Sequence, residues 1–172
     1  AQEIATWHKH IVIKIPVTEA GLQAMNQIRY WWVDASGTLH TDKNDVPSDA
    51  TELAWKARVN ATLVFSAAQG LLAALAGAAY VSPFVGRLDD GGLGGMDIVQ
   101  ELVEIFDNYG IGCEIIAASL RHPTHVIEAA LAGADIATIP FGVLKKMVAH
   151  PYTQVGLEAF TADWAQVSKD TG

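Results

Sequence analysis

The stretch HIVIKIPVTEAG, residues 10–21, changes period half-way along. Ile11 to Ile15 form a β-branched run, the pattern of a strand buried on both faces, and Pro16 ends it. Thr18 then stands at a cap position, with Glu19 and apolar residues at helical spacing behind it, so a helix is predicted from about 18 to 29. Lys14 stands in the middle of the apolar strand. A strand lysine is ordinarily an edge residue whose ammonium reaches water. The alternative is a desolvated amine, because burial disfavours the charged form and a neutral amine can attack a ketone to form a Schiff base. Its place toward the C-terminal end of the strand, where barrel active sites lie, favours the second reading.

The same strand-then-helix unit recurs four times. ATLVF (61–65), AYVSPFV (79–85), CEIIAAS (113–119) and DIATIP (135–140) read as strands. AAQGLLAALAGA, MDIVQELVEIFDNYG, HPTHVIEAALAGA and FGVLKKMVAH read as the helices after them, with Gly77, Gly110 and Gly133 at helix ends and Pro123 at a helix start. A last helix, QVGLEAFTADWAQVS, follows. Such alternation means βαβ units and parallel pairing. The first strand lacks a following G-x-G-x-x-G, which weakens a dinucleotide-binding reading. A (β/α)8 barrel normally needs about 250 residues. Five units therefore amount to a barrel lacking its first part, and an open five-stranded doubly wound sheet is the rival on length.

One segment, about 30–56, breaks the rhythm and is read as an insertion in a single domain spanning 1–172. Within it WWVDASGTLHT alternates around Ser-Gly as a small hairpin, and SDATELAWKA has the pattern of a capped helix. An αβ connection lies opposite the usual active face of a parallel barrel, so a structural or interaction role is expected.

The chain has 172 residues, 51% of them hydrophobic, enough for one core. Its formal charge of −8 argues against a general nucleic-acid binder. No apolar run reaches the roughly 20 residues of a membrane span. Cys113 is the single cysteine and no zinc-type spacing exists, so neither an internal disulfide nor a metal is expected, and the default location is cytoplasmic. The chain opens on Ala1 rather than Met, as a mature terminus or a piece of a longer polypeptide would.

Other polar residues cluster after the strands. Thr62 and Ser66 bracket the second, Ser82 and Arg87 follow the third, and Ser119 and Arg121 follow the fourth. Two arginines with serine hydroxyls at strand ends suit a phosphate group, although an exposed pair of Arg87 with Asp89 or Asp90 explains Arg87 about as well. His122 and His125 lie three apart without a third ligand and are expected to be exposed turn histidines. GGLGG lacks the Lys-Ser/Thr of a P-loop and reads as a flexible loop. Cys113 reads as a small buried hydrophobe.

IVIKIPVTEAGL, SPFVGRLDD and AASLRHP, with the intervening sequence over roughly residues 8–28 and 58–166, resemble the short transaldolases, the branch close to fructose-6-phosphate aldolase. The resemblance implies a class I aldolase-type (β/α)8 barrel without metal or organic cofactor, present here as its last five βα units plus a C-terminal helix. It implies Lys14 as the Schiff-base nucleophile and Thr62 as the residue holding the catalytic water. Arg87, Ser119 and Arg121 would bind phosphate, and Ser82 would lie near the substrate hydroxyls. Phe84 falls where the aldolase branch has Tyr, which tilts the reading toward transaldolase. The implied reaction moves a dihydroxyacetone unit from sedoheptulose 7-phosphate or fructose 6-phosphate to an aldose phosphate, in the non-oxidative pentose phosphate pathway. The aldolase reaction, or an inactive fragment serving only binding or assembly, are the alternatives. The family's first three strands, with an Asp, an Asn and a Glu or Gln acid/base residue, have no counterpart here, so the chain alone is expected to be poorly active, incomplete or completed by another chain. The terminal helix resembles the family's arm onto a neighbouring subunit, implying a homo-oligomer, a decameric ring in this branch.

Overall fold

Thr18 caps the first long helix as its spacing predicts, its Oγ1 accepting the Gly21 amide at 3.0 Å. The computed structural model describes residues 1–45 and 54–170. The chain runs through α1 (Gln2–Ala5), β1 (Val12–Pro16) and α2 (Glu19–Ile28), then three two-residue strands, β2 (Trp32–Val33), β3 (Leu39–His40) and β4 (Trp55–Lys56). The βα alternation resumes with β5 (Arg58–Val64), α3 (Ala67–Leu75), β6 (Tyr80–Pro83), α4 (Val85–Asp90) and α5 (Gly95–Tyr109). It ends with β7 (Glu114–Ala117), α6 (Pro123–Ala132), β8 (Ile136–Ala137), α7 (Phe141–Val148) and α8 (Pro151–Asp170). Gly110 and Gly133 take left-handed φ values of 61° and 90° and close α5 and α6, the conformation at which glycine carries no Cβ penalty.

The main sheet is parallel throughout, in the order β1-β5-β6-β7-β8. A doubly wound sheet reverses strand order at a switch point and carries helices on both faces. Here the order never reverses. Ile13, Val59, Ala61, Val81, Ile115 and Ala117 share one core with Met25 and Ile28 of α2, Ala73 of α3, Leu102 and Phe106 of α5, and Ala129 of α6. The helices thus cover one face, and the sheet is an arc of a (β/α) barrel wall that does not close. On the other face Lys14 and Glu114 are exposed, whereas Thr62 and Ser82 are buried. That corrects the expectations that β1 is buried on both sides and that Lys14 is a desolvated amine: β1 is an edge strand of the sheet and Lys14 is exposed. A helix layer lies against one face only, so Ile13 and Ile15 pack while Lys14 does not.

The insertion forms a separate antiparallel sheet, β3-β2-β4. The hairpin read from WWVDASGTLHT is present, pairing Trp32 with His40 and Val33 with Leu39. The capped helix read from SDATELAWKA is not borne out where it can be followed: residues 48–53 lie outside the described residues, and Trp55–Lys56 pair with β2 as a strand. Tertiary bonds win there, since Trp55 Nε1 donates to the Ala5 carbonyl at 3.2 Å and the Ala57 amide to the Trp31 carbonyl at 3.0 Å. The third strand is also shorter than expected, because Val85 already opens α4. Cys113 is buried as read, and that burial, with Asp135 and Glu114 nearby, pushes its thiol up to about 12. Among the described residues no helix is long and apolar enough to cross a membrane.

Candidate active site

The face free of helices carries the site. Lys14 is the third of five residues in β1, mid-strand rather than at its end, and its Cα pairs in register with Asn60 of β5. Asn60 lies between Val59 and Ala61, both in the helix-side core, and so faces the open side with Lys14. Its Oδ1 accepts the Ser82 hydroxyl of β6 at 2.7 Å. Ser82 is 1% exposed, so this bond satisfies a hydroxyl that would otherwise be costly to bury. One step below, Arg58 Nη1 donates to the Tyr80 hydroxyl at 2.8 Å. An amine is thereby set beside a neutral amide–hydroxyl pair, on three adjacent strands.

Thr62 lies two residues beyond Asn60, 8% exposed, with its Cα paired to Pro16 and its carbonyl accepting the Val17 amide at 3.0 Å. Immediately after it the β5–β6 register shifts, and Leu63 adopts φ 57°. Among the described residues, Leu63 and Ser119 (φ 62°) alone are left-handed without being glycine. Leu63 lies one residue before the end of β5 and Ser119 two residues after the end of β7. Each costs about 1–2 kcal/mol, and such strain persists where the surroundings over-determine it, often at functional sites.

The ends of β6 and β7 are laced together. The Val85 amide donates to the Ala118 carbonyl at 3.0 Å and the Gly86 amide to the Ser119 carbonyl at 3.1 Å. A Cβ at Gly86 would collide with the Ser119 carbonyl oxygen and the Arg121 side chain, so only glycine permits this approach. Phe84 bridges to Ala118, its ring edge-on to Phe65 with centroids 5.7 Å apart, and the Arg87 guanidinium lies 5.2 Å over it. The exposed pair expected between Arg87 and Asp89 or Asp90 is not formed. Asp90 instead bonds Arg121, Oδ2 to Nη2 at 2.8 Å, and Asp89 bonds His125. Among the described residues Arg87 has no carboxylate partner. An unpaired guanidinium one residue from Gly86, against which the Ser119 carbonyl and the Arg121 side chain lie, suits a doubly charged anion.

The predicted residues therefore fall into two groups: Lys14, Thr62 and Ser82 on the strands, with Asn60 paired in register to Lys14 and bonded to Ser82; and Phe84, Arg87, Ser119 and Arg121 after β6 and β7, Arg87 in α4 and the others in the connections. Asn60 was missed by sequence reasoning, which starts the second strand one residue later at Ala61, whereas β5 already contains Asn60 as its third residue. His125 was misread: it is buried, not an exposed turn residue, because Asp89 and the Arg121 amide satisfy its ring. Among the described residues no group of three metal-ligating side chains occurs.

The transaldolase/fructose-6-phosphate aldolase family model matches residues 1–171. The chain belongs to that family. Relatives described as probable transaldolases agree with it along nearly its whole length. That of Desulfosudis oleivorans is 48% identical over 169 residues, 98% of this chain and 68% of the relative. That of Heliobacterium modesticaldum is 52% identical over 167 residues, 97% and 66% respectively. The Caldicellulosiruptor saccharolyticus protein is 50% identical over 170 residues, 98% and 67%. This family member thus spans about two thirds of the length of the relatives it matches.

Proposed function

We propose that the chain carries the nucleophile and phosphate site of a transaldolase, with Lys14 forming the Schiff base. The observation that carries this reading is Lys14 on the open sheet face, paired in register with Asn60 and so beside the Asn60–Ser82 bond. Lys14 Nζ attacks the ketone carbon of sedoheptulose 7-phosphate or fructose 6-phosphate, and loss of water gives the imine. The hydroxyl on the far side of the scissile bond gives its proton to the water held by Thr62, the carbon–carbon bond breaks, and an aldose phosphate leaves. The electron pair stays with the three-carbon unit as an enamine on Lys14. That enamine attacks the aldehyde carbon of glyceraldehyde 3-phosphate or erythrose 4-phosphate. Water, held by Thr62, then hydrolyses the imine and frees the new ketose and the amine. No redox step or organic cofactor enters this sequence.

Arg87, Ser119 and Arg121 would take the phosphate end, so that binding energy remote from the reacting carbon orients it. Ser82, through Asn60, would meet the hydroxyls of the dihydroxyacetone unit. The reaction would serve the non-oxidative pentose phosphate pathway in the cytoplasm. Exposed Val155, Leu157 and Phe160 on α8 support assembly as a homo-oligomer, of the decameric type.

Phe84 separates transfer from free cleavage. A phenol at this position could protonate the enamine and release the three-carbon unit, whereas a phenyl ring cannot. The test is release of glyceraldehyde 3-phosphate from fructose 6-phosphate with and without erythrose 4-phosphate. Release that requires the acceptor, and a rise of about a hundredfold or more in acceptor-independent release in Phe84→Tyr, are expected, in the range of general acid catalysis. Equal release with and without acceptor would make the reaction that of an aldolase.

A further inference from the structure

Behind the loop after β7 stands a pair of side chains that the proposed chemistry does not use. His125, 6% exposed, lies in the first turn of α6. Its Nδ1 accepts the Arg121 amide at 3.2 Å, and its Nε2 is 3.0 Å from Asp89 Oδ2. A ring nitrogen that accepts from an amide carries no proton. The proton therefore sits on Nε2, the nitrogen that faces Asp89. The other Asp89 oxygen, Oδ1, accepts the Gly95 amide at the start of α5 at 2.8 Å. His122 lies against His125 with ring centroids 3.7 Å apart, and its Nδ1 accepts the His125 amide at 3.4 Å.

One carboxylate thus ties α4, the start of α5, α6 and the Arg121 backbone together. On the opposite side the Gly86 amide holds the Ser119 carbonyl. Between these two anchors lies the left-handed Ser119, a conformation the backbone does not choose unaided. Released from either anchor, the turn would relax, and ordering it again would be charged against anion binding.

We propose that Asp89 and His125 are a positioning pair that locks the Ser119–Arg121 turn and thereby sets the affinity of this site for the substrate's phosphate group. The inference rests on the assignment of that turn to phosphate. Neither side chain touches the substrate; both act through the Arg121 backbone.

The test is a titration of inorganic phosphate into the chain and into three variants, following the Gly86, Ser119 and Arg121 amides by NMR alongside thermal unfolding. In the parent chain phosphate shifts these amides. His125→Phe removes the acceptor of the Arg121 amide and the contact with Asp89, and weakens phosphate binding about tenfold, the scale of one lost hydrogen bond to an ordered loop. His125→Asn, whose Oδ1 replaces Nδ1 as acceptor of the Arg121 amide, recovers most of that affinity despite a smaller side chain. Asp89→Asn, at a partly exposed position, weakens binding in the same direction and serves where His125→Phe does not fold. A lowered melting temperature with unchanged phosphate affinity in the folded variants would overturn the positioning role and leave the phosphate site standing. Phosphate that never shifts these amides in the parent chain would overturn the phosphate assignment, and the positioning role with it.

Discussion

Strand alternation decides what Lys14 can do. A β-branched run reads as buried on both faces, and only the tertiary structure reveals that helices cover Ile13 and Ile15 while Lys14 is left open. The type of element was legible in the residues; the face was not. Gly86 is a second case. In SPFVGR nothing in the sequence singles it out, whereas its need is steric, set by the Ser119 carbonyl and Arg121 from another βα unit. Gly86→Ala should destabilise the chain by about 1–3 kcal/mol, the usual cost of forcing extra atoms into a packed site. Urea unfolding would measure it, and an unchanged midpoint would contradict the close approach. His125 was unreadable for a related reason. A histidine pair at i, i+3 is ambiguous until the chain brings Asp89 beside it.

Elements with a clear period were readable: the parallel strands, the long helices, and the glycines and Pro123 that bound α5 and α6. Short ones were not, because six-residue α4 and two-residue β4 offer too few positions for a period to emerge. The hairpin of β2 and β3 was signalled by Ser-Gly, but its electrostatics depend on where the turn places its carboxylates. His40 Nε2 lies 3.0 Å from Asp34 Oδ2 and Nδ1 lies 2.9 Å from Asp45 Oδ2. Hydrogen bonds to Asp34, then to Asp45, hold His40 above its ordinary 6.5. Hydrogen bonds from the Ser36 hydroxyl, then from His40, hold Asp34 well below its ordinary 3.8. A raised histidine stabilises fully below its ordinary value, and that contribution is lost as pH climbs through the raised one. A depressed carboxylate contributes above its ordinary value and is lost as pH falls through the lowered one. The hairpin should therefore be tightest between about pH 3.8 and 6.5 and loosen above that window as His40 deprotonates. Amide exchange at Thr38, whose N–H bonds Asp34, would follow it. Protection that keeps rising with pH beyond the window, after correction for intrinsic exchange, would contradict the clamp.

At the scale of the molecule, monotonic strand order is what separates a barrel arc from a doubly wound sheet. Counting βα units could not make that choice, since both architectures are built from them. The same arc explains how scattered residues meet. Lys14, Asn60 and Ser82 converge from three strands of the open face, and the amides of Val85 and Gly86 hold α4, which carries Arg87, against the turn after β7. The central claim is that this convergence makes Lys14 a nucleophile. It is tested most directly by borohydride reduction of the chain in the presence of fructose 6-phosphate, followed by peptide mass mapping. The account predicts a reduced three-carbon or six-carbon adduct on the peptide containing Lys14, absent in Lys14→Met. A folded chain that yields no adduct, or one that carries it on another lysine, would contradict it.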